Sequence, residues 1–124
     1  MKRKDTTVET EFHPKLNFFL TWCDDIYRSA WGAELIITSG SEDKARHGFT
    51  SLHYAKPCCA ADIRSWGLKD RAGRLIATAK DQYNRLRELR DEFCADQNIP
   101  SNWIDIILES DHIHIEFQPK RREI

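Results

Sequence analysis

At 124 residues, 40% of them hydrophobic and 10% aromatic, the chain has material for one modest core and not for a second domain. Its 19 Lys and Arg against 20 Asp and Glu leave a net charge of -1, which excludes a global field that would draw it to nucleic acid or to anionic lipid. Four cysteines without repeating spacing, Cys23, Cys58, Cys59 and Cys94, argue against a disulfide framework and for reduced thiols.

Residues 1–12 form a polar leader with no apolar run long enough for a signal-peptide core or a membrane span, so a flexible end and a cytoplasmic protein are expected. Leu16, Phe19, Leu20, Cys23, Ile26, Tyr27 and Ala30 then recur at three- and four-residue steps, predicting a helix over 14–31 with Pro14 in its first turn and Gly32 at its end. The β-branched run Glu34 to Thr38, closed by Ser39 and Gly40, predicts a buried strand. The polar stretch Ser41 to Thr50 reads as a loop.

The short apolar segment Cys59 to Arg64 is compatible with a strand. From Ala72 to Gln97 the apolar positions Leu75, Ile76, Ala79, Tyr83, Leu86, Leu89, Phe93 and Cys94 keep helical spacing, predicting a long helix. Asn98 to Asn102, with Pro100, breaks it, and Trp103 to Leu108 reads as a strand. The strict alternation of His112-Ile113-His114-Ile115-Glu116-Phe117 predicts a half-buried strand, joined to the previous one by a tight turn at Ser110 or Asp111. Residues 118–124 read as a solvated, flexible end. Trp66 and Trp103, flanking strands, are expected in the core. The sum is a single α+β domain: a small antiparallel sheet backed by two main helices.

Four of the five histidines fall in two places, His47 and His53 in the middle of the chain and His112 and His114 on the final strand. Positions two apart in a strand share a face, so His112 and His114 project together while Ile113 and Ile115 face the core. Two imidazoles on one face make half of a metal site, and Asp62 and His53 are candidates for the rest.

The run Ser51-Leu52-His53-Tyr54, then Ala60-Ala61-Asp62-Ile63, then a helix, a strand and Asp111-His112-Ile113-His114-Ile115 resembles the zinc D-Ala-D-Ala carboxypeptidases. That family includes dipeptidases of vancomycin resistance, phage L-alanyl-D-glutamate endolysins and the amino-terminal signalling domain of hedgehog proteins. The resemblance spans roughly Ile36 to Phe117 and rests on two separated motifs. It implies a hedgehog-like fold carrying one zinc ion, with His53, Asp62 and His114 as its ligands. Asp111 is then the general base, with Glu109 competing because hedgehog domains carry Glu-Ser ahead of His-Ile-His. His112 becomes a neighbouring group that stabilises the transition state, or else an exposed strand residue.

The family often places an arginine after the strand ending Thr38-Ser39-Gly40 to bind a terminal carboxylate. Arg46 stands there, with a solvated loop charge as the other reading. His47 and Ser51 line the same substrate side by resemblance. The implied activity is hydrolysis of a peptide bond in peptidoglycan or its precursors, next to a D-amino acid, by a monomer with neither nucleic acid nor membrane as partner. A non-catalytic zinc domain of hedgehog type is the alternative. A wall enzyme made without an export signal suits a phage that releases it at lysis.

One departure stands out. His53 and Asp62 are nine positions apart, two more than the family's usual interval, and the link Ala55-Lys56-Pro57-Cys58-Cys59 has no glycine. It brings two thiols toward the expected metal, as a packed and a loop cysteine or as ligands that would close its coordination.

Overall fold

A computed structural model describes residues 1–40 and 58–118. Helix α1 (Pro14–Trp31) starts from His13, whose Nδ1 accepts the Lys15 N–H at 3.1 Å. It ends at Gly32, whose φ of 62° is the left-handed conformation that a residue without Cβ adopts at least cost. Its buried stripe is Leu16, Phe19, Leu20, Cys23 and Tyr27, the face that the spacing predicts. These side chains share one core with Leu86, Leu89 and Phe93 from the second helix and with Ile37, Ala61, Ile63, Ile113 and Ile115 from the sheet. Each fully buried large side chain contributes roughly 1.5–3 kcal/mol.

The sheet has five strands: β1 (Lys2–Arg3), β2 (Ile36–Ser39), β3 (Ala60–Arg64), β6 (Ile104–Leu108) and β7 (His112–Phe117), in the order β1-β2-β3-β7-β6. All pairings are antiparallel except β1 with β2, which run parallel. The sheet is therefore mixed, a correction to the wholly antiparallel one expected, and the added strand comes from the leader. Residues 1–12 are not a flexible end: Val8 and Phe12 are buried, and Phe12 bridges Cys58. The leader also passes so close to Gly40 that a Cβ there would lie 2.1 Å from the Glu9 carbonyl oxygen, so only glycine fits.

The expected helix from Ala72 is likewise corrected. Between β3 and the second helix stands a hairpin of β4 (Leu68–Lys69) and β5 (Leu75–Ala77), and helix α2 runs from Ala79 to Gln97. Asp70 builds the turn, its Oδ1 accepting the Ala72 and Arg74 N–H groups at 2.9 Å each. Thr78 then caps α2 in a capping box with Asp81. Leu75 and Ile76, which imitate helical spacing, are exposed. Trp103, in a single 3-10 turn ahead of β6, is buried as expected, whereas Trp66 is 66% exposed. The strand period turns Ser65 inward and leaves Arg64 and Trp66 outward, the guanidinium 3.9 Å above the indole ring. No helix among the described residues is long and apolar enough to cross a membrane.

Asp24 ties α1 to the strand that follows it. Its carboxylate is buried, accepts the Leu35 N–H at 2.9 Å and pairs with Arg28 at 2.9 Å and with the Met1 amino group at 2.7 Å. Burial pushes its pKa up, and the bonds from the amino group, Leu35 and Arg28 together push harder the other way, so it lies below the usual aspartate value. Asp24→Ala, which leaves the Leu35 N–H without its acceptor, is expected to destabilise the fold by about 1–3 kcal/mol, read from denaturant midpoints. Because the folded pKa is depressed, the Asp24 contribution is present in full above an ordinary aspartate pKa of about 3.9 and is lost as pH falls through the lower folded value. The gap between the two proteins should therefore close in acid. A gap that is constant down to strongly acidic pH would show that the carboxylate charge contributes nothing.

Candidate metal centre

Strand β7 pairs with β3 so that His114 stands opposite Asp62 and His112 opposite Arg64. Because opposite residues share a face, Asp62, Arg64, His112, His114 and Glu116 lie on one side of the sheet, while Ile63, Ile113, Ile115 and Phe117 pack into the core on the other. The alternation of β7 therefore does both jobs: its isoleucines anchor the strand and its even positions set His112, His114 and Glu116 on the other face.

On that face Asp62, His112 and His114 each bring one donor atom to within 4.8 Å of the others. The Asp62 Oδ1 lies 2.6 Å from His114 Nδ1 and 3.6 Å from His112 Nε2. Donors on a tetrahedral zinc sit roughly 3.3 Å apart, given metal–ligand distances near ~2.0–2.2 Å, so an ion would replace the Asp62–His114 hydrogen bond with a small outward shift. Two imidazoles and one carboxylate form a donor set that zinc accepts. The three side chains are 13%, 29% and 15% exposed respectively: shielded enough to hold fixed rotamers, open enough for an ion to enter.

Both His114 nitrogens are engaged, Nδ1 by Asp62 and Nε2 by the Glu116 Oε1, each at 2.6 Å. Burial pulls the His114 pKa down, but the hydrogen bonds and charges of the two carboxylates outweigh it and raise the pKa above the usual histidine value. The Glu116 Oε2 in turn accepts from the Gln118 amide.

Of the candidates, Asp62, His112 and His114 stand together as a group that could hold a metal ion. Asp111 holds the far nitrogen of His112, with Oδ1 2.5 Å from Nδ1, and its side chain is 83% exposed. Glu109 is exposed in the hairpin turn, where its N–H donates to the His112 carbonyl. Arg46, His47, Ser51 and His53 lie outside the described residues, as does the link as far as Pro57. Cys58 and Cys59 are buried in the core, and burial pushes the Cys59 thiol up. No sulfur belongs to the donor group found among the described residues. The fifth histidine, His13, caps α1 and lies tilted against Phe117, the ring centroids 4.8 Å apart.

Two residues on this face escape a motif search. Glu116 looks like the ordinary polar member of an alternating strand, and only its spacing of two from His114 hints at more. Arg64 stands opposite His112 and lines a cleft of about 180 Å³ with Trp66, Leu68, Ile36, Glu34 and Gln82. Gln82 braces this cleft from the core side, donating to the Trp66 carbonyl at 2.9 Å and pairing with the Tyr27 hydroxyl at 3.1 Å.

No protein-family model matches the chain, and neither a curated protein nor a solved structure is significantly similar to it.

Proposed function

We propose that the chain is a zinc metallopeptidase that hydrolyses a peptide bond in peptidoglycan or its precursors, next to a D-amino acid. The observation that carries this reading is the convergence of Asp62, His112 and His114 on the face of the sheet opposite Ile63, Ile113 and Ile115. The motifs around His53, Asp62 and His114 supply the substrate class, by resemblance alone. Asp62, His112 and His114 would hold the ion and leave a fourth position for water, whereas the resemblance implies His53 in the place of His112. When bound, zinc would supply Lewis acidity, polarising a carbonyl and making water acidic enough to react near neutral pH.

The rest falls to the chain's own side chains. Asp111, the base that the resemblance implies and a side chain open to solvent, would accept the proton of the attacking water at a carboxylate oxygen. The cleft beside His112 receives the end of the substrate. In it the Arg64 guanidinium, which no carboxylate neutralises among the described residues, offers a planar fork for a carboxylate, the task that the resemblance gives to Arg46. The test is incubation of the zinc-loaded protein with muropeptides and with D-Ala-D-Ala, products being read by mass spectrometry. Cleavage next to a D-residue is the expected result, and intact substrates would sink the proposal.

A second reading is a non-catalytic zinc-binding interaction domain of hedgehog type. One observation favours it: with three donors already together, His53 would make four and leave no open position. X-ray absorption at the zinc edge, before and after His53→Ala, separates the two. An N/O shell with a coordinated water marks the catalytic site, and four protein ligands falling to three in the variant mark the closed one.

A further inference from the structure

We propose that Glu116 is the positioning residue of the metal centre: by accepting the Nε2–H of His114 it commits that ring to presenting Nδ1 to the ion. This inference rests on the zinc reading above. A neutral imidazole has one N–H and one lone pair, and in a metal-bound ring the nitrogen left over carries the proton. A carboxylate oxygen 2.6 Å from Nε2 makes that nitrogen Nε2. In the metal-bound ring the lone pair then belongs to Nδ1, the atom whose hydrogen bond to Asp62 at 2.6 Å the ion would replace.

The fold prepares Glu116 for this task. His112, His114 and Glu116 are successive residues of one face of β7, and the β3 residue opposite Glu116 is Ala60, whose methyl group leaves the carboxylate free to turn along its own strand toward His114. From β6 the opposite residue is Asp105, a like charge that supplies no counterion. Among the described residues the partners of Glu116 are His114 and the Gln118 amide, one on each oxygen. Its carboxylate meets the ring on the side away from the donor atoms and stands outside the donor group. It acts through His114 and does not touch the ion.

Carboxylates in this position orient metal-binding histidines and raise their basicity, and their removal typically costs about 10–100-fold in metal affinity. In the full-length chain, zinc affinity measured by competition with a chromophoric chelator is expected to fall by about that factor in Glu116→Ala. In Glu116→Gln it should fall less, because the amide oxygen still accepts the Nε2–H without its charge. Nitrogen NMR of His114 provides a readout that a merely structural role would not move. The zinc-loaded chain and the Gln variant should both carry the proton on Nε2, and the Ala variant should lose that preference.

Affinity unchanged in both variants would overturn the proposal, as would zinc bound to Nε2 in the unaltered chain. If Glu116→Ala fails to fold, the near-isosteric Gln variant and the NMR assignment of the unaltered chain still decide. An unaltered chain that takes up no zinc overturns the zinc reading and this inference with it, whereas uptake indifferent to Glu116 overturns this inference alone.

Discussion

Asp62→Ala is expected to abolish stoichiometric zinc, the largest single effect anticipated for this protein. Asp62 is the only member of the donor group that carries negative charge, and its Oδ1 is the atom on which both imidazoles converge, at 2.6 Å for His114 and 3.6 Å for His112. Two neutral nitrogens that remain cannot fix the ion's geometry or offset its charge. The fold should survive, because the backbone of Asp62 still pairs with β7 and its carbonyl still accepts from the Thr38 hydroxyl at 3.2 Å. Metal analysis of the dialysed variant, alongside its circular dichroism, checks both halves. One bound zinc per folded chain would remove Asp62 from the ligand set. His114→Ala should behave in the same way.

The second large effect concerns rate. Asp111→Asn is expected to retain zinc yet lose about 10²–10⁴-fold in hydrolysis, the usual worth of a positioned carboxylate that accepts a proton. The substitution is chosen for what it preserves. Asp111 bonds to His112 Nδ1 at 2.5 Å, and an asparagine carbonyl can still accept from that nitrogen, so His112 stays oriented while the base is gone. Asp111→Ala, which removes both roles, should also weaken zinc binding. Glu109→Gln should change little, since Glu109 is exposed in the turn and among the described residues it meets His112 through its main chain. A ranking in which Glu109→Gln is the more damaging would show that the hairpin's other carboxylate is the base.

The elements that the sequence predicts well share one property: their pattern reports burial. The α1 stripe and the β7 alternation are cases in which each apolar residue has a core to enter, so periodicity and structure agree. The errors occur where something else decides. Leu75 and Ile76 extend the α2 pattern by coincidence, and the deciding signals are local polar ones: Asp70 closing a turn and Thr78 with Asp81 capping the helix. Trp66 is large and aromatic, yet its partner is the Arg64 guanidinium at the surface. The leader looks soluble and unstructured, and it is held by β2 and by the core around Val8, partners distant in the chain.

The same division runs through the site. By itself the sequence determines that His112 and His114 share a face, because a strand's period of two admits no other result, and it singles out Asp62 through the company it keeps. Only tertiary structure decides which residues meet. The β3–β7 register sets Asp62 opposite His114, draws His112 into the donor group and places Arg64 beside it. The contact of Glu116 with the far nitrogen of His114 also belongs to the folded state, in which Ala60 stands opposite Glu116. Pairing register is fixed by which faces of two separate strands enter a common core, a condition on the whole chain that no local stretch of sequence contains.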